Sequence, residues 1–593
     1  MMTKRIRKPW TITAVLACLA GLAVPVAAQN SGADNSDTQS AKTNSSGASS
    51  EIEQLKKMLL DQQHQIDQLR RELTAQKGAS EKPEQKAEEA KPEQKASDPA
   101  AALAAPIHPG IASHDVGSSL GEVASTTPAI PPAPSPVTPP AAIAAAPAPQ
   151  TGESSPLQLK IGDAYITPVG FMDMTLVSRS TNPGTGIGTN FGSIPYGNTQ
   201  QAALTETRLS IQNSRIGARF DSLYHDWKIL GYWESDFLGQ LGNPPNGGLA
   251  VSSNPFVFRM RLYWVDLIKG KFEFLAGQSW SMATPNRKGI SPLPGDIFYS
   301  QDMDVNYQLG LTWSRVGSYR FVLHPSDKVA MGFALENSEP YIGGGNGGSA
   351  AVLPAAFASQ SGQEINGGNS VINSAALMPD LIAKLAFDPS SRLHFELVGI
   401  GVADKIANPT GVSTLVPFAT NTTFGGGGEA NLNAEVFKNF RLIVNTFWSD
   451  GAGRYIFGQA PDFMIRNNGT ISLIHSASTV SGFEANVRKT LLFAYYGGVY
   501  IPQDVDYTGG TKVGYGALSS DGQNRAIQEI TFGSNSTLMK DPKWGAINLI
   551  LQFSYEQRNP WLAAIGAPTN AHVSMGFFDL RYTLPGSAPT IGH

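Results

Sequence analysis

The chain has 593 residues, a formal net charge of −4 and one cysteine, Cys18. This charge argues against a nucleic-acid-binding protein, which needs a basic surface to neutralise phosphates, and no run of eighteen uninterrupted apolar residues predicts a membrane-spanning helix. If a signal peptide removes Cys18, the mature protein has no thiol, which excludes disulfides and cysteine-ligated metal sites.

Residues 1–28 are predicted to be a signal peptide. The segment starts with four cationic residues, Lys4, Arg5, Arg7 and Lys8. An apolar run from Ile12 to Ala23 follows, and small residues at 26–28 precede the expected cleavage site before Gln29. The run is too short to cross the roughly 30 Å of hydrocarbon in a bilayer, which argues against a transmembrane anchor. Lipidation at Cys18 is the other alternative, and it is disfavoured because Leu16 is bulky for that kind of cleavage site.

Residues 29–50 are rich in Ser, Asn and Ala and are predicted to be disordered. Residues 51–77 are predicted to form a coiled-coil helix, because apolar residues recur at alternating spacings of three and four. The oligomerisation seam comprises Ile52, Leu55, Leu59, Gln62, Ile66, Leu69 and Leu73. The regular repeat favours self-association over a lone amphipathic helix packed on the rest of the chain. Ile and Leu at the seam favour a dimer, whereas Gln62 could specify register in a trimer, so the oligomeric state stays open.

Residues 78–156 are predicted to be an extended linker. The first part is rich in Lys and Glu and contains two near-copies, Lys82–Ala87 and Lys91–Ala96. From Ala100 onward the linker is rich in Ala and Pro, and such sequence forms a semi-rigid spacer that cannot make a core. We expect this arm to hold the coiled coil in the periplasm, away from the membrane.

Residues 157–584 are predicted to form an all-β domain, a sixteen-stranded antiparallel transmembrane barrel. Runs of about ten residues alternate apolar with polar, because the side chains of a strand point to alternate faces. The predicted strands are 169–178, 205–220, 227–237, 256–266, 271–280, 311–323, 328–337, 378–387, 392–402, 427–436, 440–449, 482–488, 491–501, 526–538, 544–558 and 571–584. In the fourth strand, strict alternation places Met260, Leu262 and Trp264 on the face opposite to Arg261 and Tyr263.

The connections between these strands alternate between turns of a few residues and long loops. Outer-membrane barrels have this order, with short turns in the periplasm and long loops outside. An even number of strands returns both ends of the barrel to the side of the short turns, where the coiled coil is expected. Sixteen strands also suffice to enclose an aqueous channel. The pattern therefore predicts a protein of the Gram-negative outer membrane with lipid outside its barrel and water inside.

Aromatic residues near the predicted strand ends are expected to form girdles at the two membrane interfaces. The tryptophans concerned are Trp227, Trp264, Trp280, Trp313, Trp448, Trp544 and Trp561. The last strand carries Phe578, Leu580 and Tyr582 on one face, which is typical of a lipid-facing assembly signal. Residues 585–593 form an extension beyond it, so the terminal aromatic residue that is usual in such barrels is missing.

Short motifs in the predicted strands resemble those of trimeric Gram-negative porins. Arg259–Trp264 and Phe274–Trp280 are similar to the strand pair before the third loop of those porins, and Arg208–Gly217 and Ala334–Asn337 strengthen the similarity. With its N-terminal coiled coil, the chain most resembles the DcaP-like porins. The resemblance implies a homotrimer of sixteen-stranded barrels, each narrowed by an infolded third loop, with a preference for small organic anions such as dicarboxylates. The Ala/Pro-rich spacer and the C-terminal extension depart from the family pattern.

Cationic residues on the polar strand faces are candidates for lining a pore and setting its selectivity. They are Arg208, Arg215, Arg219, Arg259, Arg261 and Arg320. A charge on the lipid face costs roughly 2–4 kcal/mol at the bilayer midplane, so these arginines are expected to face the lumen. Rows of guanidinium groups suit carboxylates and phosphates. The alternative is that they pair with Glu234, Asp236 or Glu273 and only brace the wall.

The third loop is expected to run from about residue 281 to residue 309. It contains Asp296, Asp302 and Asp304, which could face the arginines across the pore and create a transverse field. Arg287 and Lys288 of the same loop could instead add to a rim that attracts anions. The three acids also permit weak Ca²⁺ binding, although they lack EF-hand spacing.

No motif predicts catalysis or a cofactor. The chain lacks the H-E-x-x-H pattern of metalloproteases, and its histidines stand in no recognised catalytic context, so no enzymatic activity, metal or cofactor is expected. Gly343–Gly348 and Gly425–Gly428 have no phosphate-loop Lys-Ser/Thr after them and are expected to be loops. The remaining alternative to a passive channel is a structural tether, in which a plugged barrel anchors the coiled coil. Expected partners are further copies of the chain, outer-membrane lipids and small hydrophilic solutes.

Overall fold

The computed structural model describes residues 157–239, 257–293, 298–302, 307–343, 351–360, 362–363, 374–410, 417–456, 459–518 and 523–585. The predicted signal peptide, disordered segment, coiled-coil helix and linker lie outside the described residues, and so does the seam from Ile52 to Leu73. Of the C-terminal extension, Pro585 alone is described. Apart from Pro585, the described residues therefore all belong to the predicted barrel domain.

Sixteen antiparallel strands close into one barrel. The strands are β1 Ala164–Arg179, β2 Glu206–Ser210 continued by Arg215–Tyr224, β3 Trp227–Gly239, β4 Val257–Lys269, β5 Phe272–Trp280, β6 Arg315–Ser326, β7 Val329–Glu336, β8 Asp380–Ser390, β9 Leu393–Asn408, β10 Ala419–Phe437, β11 Phe440–Asp450, β12 His475–Val487, β13 Thr490–Tyr500, β14 Asn524–Asp541, β15 Gly545–Pro560 and β16 Ala571–Thr583. Each strand pairs with its neighbour in sequence. β16 pairs with β1, from Phe171 opposite Thr583 to Arg179 opposite Met575, and this pairing closes the ring.

Shorter elements occupy the long connections. Leu159–Ile161 pairs with the start of β1, and Ser374–Ala376 pairs with the end of β9. Three two-stranded ladders join Tyr341–Gly343 to Gly362–Gln363, Phe463–Ile465 to Ile471–Leu473, and Asp504–Thr508 to Thr511–Tyr515. The 3₁₀ helices are Phe191–Ser193, Gln201–Ala203, Ala355–Gln360 and Gly453–Tyr455. In the described part of the chain, no helix has the length and apolar character needed to cross a membrane.

The sixteen predicted strands are confirmed in number and order. The largest boundary errors are in β10, which begins at Ala419 rather than Gly427, and in β12, which begins at His475 rather than Gly482. The prediction that Gly425–Gly428 is a loop was therefore wrong, because these glycines pair within the barrel wall. Glycines lack the apolar side chains that make a strand recognisable in the sequence. Of the other glycine run, Gly343 ends a short strand and 344–348 lie outside the described residues.

Tight turns join β2 to β3, β4 to β5 and the later pairs at one end of the barrel. Four of these turns contain a residue with positive φ: His225 (54°), Gly270 (58°), Asn439 (64°) and Arg488 (57°). Two-residue hairpin turns with positive φ match the right-handed twist of the strands they join. The strand ends that the long connections join lie at the opposite end, as the sequence predicts.

Side chains alternate between an apolar outer face and a largely buried inner face. In β16, Phe578 and Leu580 are exposed on the outside, whereas Phe577, Asp579 and Arg581 are buried on the inside. The predicted apolar face of the last strand is confirmed for these two outward residues. Alternation thus separates apolar from charged side chains across a single wall.

Strand β4 departs from strict alternation. Its register against β3 shifts by one residue, with Glu234 opposite Leu262 and the adjacent Ser235 opposite Met260. This β-bulge puts Arg261 and Leu262, both 0% exposed, on the inner face and leaves Tyr263 65% exposed on the outside. The predicted grouping of Leu262 and Trp264 with Met260 was therefore wrong, because the bulge reverses the alternation beyond Arg261.

Only some of the tryptophans predicted to form the aromatic girdles lie on the outer face of the barrel. Trp227, Trp448 and Trp544 are exposed large hydrophobic residues. Trp264, Trp280 and Trp313 are buried in the main apolar cluster inside the barrel, so their assignment to the girdle was wrong. The bulge turns Trp264 inward, and the other two lie where the connection between β5 and β6 leaves and rejoins the wall.

Candidate constriction of the barrel

The connection from Ser281 to Ser314, called loop 3 here, enters the barrel and packs on the inner wall. Its first anchor is on β7, where Glu336 accepts a 2.7 Å hydrogen bond from the Met282 amide. The side chain of Met282 lies over Gly332, where an added Cβ would come within 2.7 Å of its sulfur. A side chain at position 332 would therefore have to displace the flexible end of Met282.

The second anchor of loop 3 is a buried charge cluster on β8 and β9. Lys384 Nζ donates to the Thr284 carbonyl oxygen at 2.9 Å and lies 2.8 Å from Glu396. The same Glu396 carboxylate accepts the Asn286 amide at 3.1 Å. Lys384 and Glu396 have fully buried side chains, so each offsets the desolvation of the other. These contacts hold residues 284–286 of loop 3 against the inner wall.

The third anchor is an ion pair between loop 3 and β12. Arg287 Nη1 and Nη2 contact the two oxygens of Glu484 at 2.8 and 2.7 Å, and Tyr495 of β13 donates to Glu484 at 2.8 Å. The Arg287 guanidinium also lies 5.4 Å from the ring centre of Tyr299. Burial lowers the pKa of Arg287, but the adjacent Glu484 carboxylate more than offsets this and holds the pKa above its ordinary value. The bidentate geometry makes this a strong anchor.

The fourth anchor joins loop 3 to β14 and β15. Asp302 accepts hydrogen bonds from Gln552 at 2.9 Å and Thr531 at 3.2 Å. Glu529 accepts the Gln308 side chain at 2.8 Å and the Leu309 amide at 3.1 Å. Loop 3 therefore covers the inner wall from β7 to β15 and leaves the arginine-bearing strands β2 and β4 on the other side.

The predicted arginines of β2 and β4 form a network with two acids of β3. Arg261 lies 3.0 Å from Glu234 and 2.5 Å from Asp236, and Arg259 lies 2.6 Å from Asp236. Arg215 of β2 lies 3.6 Å from Glu234. Cross-strand pairing brings these side chains together on the inner face, as the alternation of β2 predicts. Of the two interpretations left open by the sequence, this geometry favours charge pairing along the wall.

The remaining predicted arginines are spread along the inner face. Arg208 contacts Glu206, and its side chain is 48% exposed. Arg219 lies 2.7 Å from Asp221. Arg320 is buried and within electrostatic range of Glu336, Asp266 and Glu273. Arg208 is the most exposed of the six predicted arginines, while Arg215, Arg219, Arg261 and Arg320 are buried.

The two predicted acids among the described residues, Asp302 and Glu273, lie in separate clusters. Asp302 is buried against β14 and β15, and Asp296 and Asp304 lie outside the described residues. Glu273 of β5 is paired with His324 of β6 at 2.8 Å. Among the described residues, no group of three or more His, Cys, Asp or Glu side chains has the geometry of a metal site.

Besides the cluster of Lys384 and Glu396, further charge clusters were missed in the sequence. Arg581 of β16 pairs with Asp173 of β1 and lies 3.2 Å from Asp579. The alternation of β16 predicts that Arg581 and Asp579 lie on one face. It could not predict their contact with Asp173, because that residue is far away in the chain.

The second missed cluster lies in the connection between β11 and β12. Arg454 contacts Asp380 of β8 at 2.8 Å and Asp462 at 2.6 Å. Burial raises the pKa of Asp462 to about 6, although Arg454 acts in the opposite direction. Arg454 lies in a loop without periodicity, so no sequence signal pointed to it.

Comparison with known proteins places this barrel in a fold class. No protein-family model and no curated protein matches the sequence. The crystal structure of the outer membrane channel DcaP of Acinetobacter baumannii matches 72% of this chain and 98% of that chain, at 13% identity and a TM-score of 0.51. The anion-selective porin from Comamonas acidovorans matches 71% and 99%, at 12% identity and a TM-score of 0.38. The described domain thus has the fold of an outer-membrane porin barrel, and the predicted resemblance to DcaP is confirmed at the level of the fold.

Proposed function

We propose that the protein is a porin, a passive channel for small hydrophilic solutes in the Gram-negative outer membrane, and not an enzyme. The observation that carries this proposal is the closed barrel with an apolar outer face and a loop folded into its lumen. Exposed outward residues include Leu209, Ile216, Phe220, Met260, Phe532, Phe553, Phe578 and Leu580. Such a face suits lipid, and sixteen strands are enough to surround a water-filled channel.

The proposal includes an oligomer and a preference among solutes. The resemblance to DcaP-like porins implies a homotrimer, to which the predicted coiled coil would contribute from the periplasm. Small organic anions, among them dicarboxylates, are the proposed solute class. Guanidinium groups along β2 and β4 support it, and the half-exposed Arg208 is the one best able to meet a passing anion. Pairing with Glu234 and Asp236 reduces the net positive charge of the buried arginines.

The alternative function is a structural tether with a plugged barrel. The burial of Arg215, Arg261 and Arg320 beneath neighbouring side chains favours it, because pore-lining arginines are in contact with water. The two functions differ in a single measurable property, ion conductance.

The test is the current through purified, folded oligomer in a planar bilayer, with the reversal potential measured in a salt gradient. Stepwise conductance with a reversal potential that shows anion preference is the expected result. R208Q should reduce that preference, whereas R392Q, at an exposed turn, should leave it unchanged. Cation preference would reject the solute class, and a folded oligomer without conductance would reject the channel in favour of the tether.

A further inference from the structure

The short turns at one end of the barrel are rich in exposed lysine. Five of the seven turns contain such a residue, and these five are called the lysine belt: Lys271, Lys328, Lys438, Lys489 and Lys543. The turns of successive hairpins lie two strand spacings, or about 10 Å, apart. The belt is therefore a row of separate charges along the edge of the barrel and not one compact cluster.

Acids near these turns do not neutralise the lysine belt. Among the described residues, no carboxylate oxygen lies within 4.0 Å of the Nζ of a belt lysine. Asp327 is the one acid within the five turns. The carboxylate of Asp226, in a neighbouring turn, is paired with Lys269 at 3.0 Å. Asp541 accepts the backbone amide of Lys543 at 2.7 Å and leaves its ammonium group in solvent. The belt thus presents five cations to its surroundings.

Exposed aromatic side chains flank the lysine belt. Phe272, Phe437 and Trp544 are each adjacent in sequence to a belt lysine, and they are 65%, 69% and 69% exposed. In the turn region between β2 and β5, Lys269 Nζ lies 5.1 Å from the ring centre of the exposed Trp227. Exposed aromatic rings of membrane proteins lie at the level of the lipid headgroups. The belt lysines, one residue away, therefore lie at the level of the lipid phosphates.

We propose that the lysine belt binds anionic phospholipids of the periplasmic leaflet, with the ammonium groups on the lipid phosphates and the flanking aromatic rings against the headgroup region. The inference goes beyond solute passage. It requires that the barrel spans the outer membrane with its short turns in the periplasm, as proposed above, but it does not require an open pore.

Three observations support a lipid as the partner. The cations follow the edge of the barrel, where lipids surround the wall. Each is one charge in its own turn, which fits a layer of headgroups that each carry one phosphate. The adjacent aromatic residues offer the amphipathic surface that headgroups contact. A single lysine close to a membrane surface raises the affinity for anionic lipid by about fivefold.

The test is electron spin resonance of the full-length protein reconstituted in phosphatidylcholine vesicles, with a trace of spin-labelled phosphatidylglycerol or spin-labelled phosphatidylcholine. The immobilised fraction of each label gives its affinity for the barrel surface. We expect phosphatidylglycerol to be preferred by at least about twofold, because the fivefold gain applies only to lipids at the turn end.

The variant K328Q/K438Q/K543Q should lose most of this preference. The matched control is K405Q/K512Q/R525Q, which removes the same charge near the long connections and should keep the preference. In the unsubstituted protein, raising the salt concentration from about 0.01 M to about 1 M should also abolish the preference, because salt screens exposed charges.

Equal affinity for the two lipids would overturn the proposal, and so would an equal loss of preference in both triple variants. If the belt variant does not fold, a preference that persists in about 1 M salt still overturns it. Binding to peptidoglycan that depends on the belt, without a lipid preference, would assign the belt to the cell wall instead. Conductance measured on the same protein tests the channel separately. Conductance without lipid preference rejects this inference alone, and lipid preference without conductance rejects the channel alone.

Discussion

The ion pair between Arg287 and Glu484 is expected to hold loop 3 in the barrel, and R287A removes it. Arg287 makes two hydrogen bonds to Glu484 and lies over the ring of Tyr299. In the variant, Glu484 stays buried and keeps only the hydroxyl of Tyr495 as a side-chain donor among these contacts. The substitution therefore removes the cation that is hydrogen-bonded to Glu484 and leaves Arg441 of β11, its cross-strand neighbour, as the cation opposite it.

Breaking a buried ion pair by removing one partner costs roughly 3–5 kcal/mol. The Arg287 side chain is 27% exposed and that of Glu484 is 4% exposed, so water screens one partner only. We therefore expect a loss of about 3 kcal/mol in the free energy of unfolding, at the lower end of that range. E484Q removes the unpaired charge, so the double variant R287A/E484Q should recover part of the loss.

The assay is a double-mutant cycle from urea unfolding in detergent, combined with hydrogen exchange of loop 3. The Gly289 amide reports on the loop because it donates to Asp388 of β8 at 2.9 Å. We expect this amide to lose protection in R287A and to keep it in R392A. A coupling free energy below about 1 kcal/mol, within the range of exposed pairs, together with unchanged protection of Gly289 would refute the reasoning.

Three further predictions concern the wall and the loops. D236N removes the carboxylate shared by Arg259 and Arg261. We expect the reversal potential to shift toward anion preference and the free energy of unfolding to fall by roughly 3 kcal/mol. An unchanged reversal potential would contradict this prediction. Because burial raises the pKa of Asp462 to about 6, its contribution to the stability of the loop should be complete below the ordinary carboxyl pKa of about 4 and be lost as the pH rises through about 6. Hydrogen exchange corrected for intrinsic rates should show this dependence, and D462N should weaken it, since Asp404 also lies beside Arg454 at 3.7 Å. Finally, spin labels at L262C and Y263C should differ, with the label at 263 alone accessible to oxygen dissolved in lipid; the reverse result would mean that β4 has no bulge.

Much of the fold could be predicted from local signals. Alternation of apolar and polar residues within each strand indicates that strand. The turns at His225, Gly270 and Asn439 need only two residues each. The errors fall where alternation carries no information. The glycines 425–428 have no side chains to alternate, and the bulge at Arg261 and Leu262 adds one residue that no composition signal marks.

The candidate constriction could be predicted less well. Alternation correctly put Arg215, Arg259 and Arg261 on the inner face, but it could not tell which acids they meet. Those partners depend on the register between strands, which shifts in β3 and β4. The contacts of loop 3 with β7 to β15 join residues up to 251 positions apart, such as Gln301 and Gln552.

The sequence alone determined that this chain forms sixteen strands, in what order short and long connections alternate, and which faces are apolar in strands without a bulge. These properties depend on the periodicity of neighbouring side chains, which is local. Only the tertiary structure decided that Arg287 of loop 3 pairs with Glu484 of β12, and that Trp264, Trp280 and Trp313 lie inside the barrel. The physical reason is that closing a barrel sets its strands and loops in one three-dimensional arrangement, and charge pairing and burial depend on proximity in space rather than along the chain.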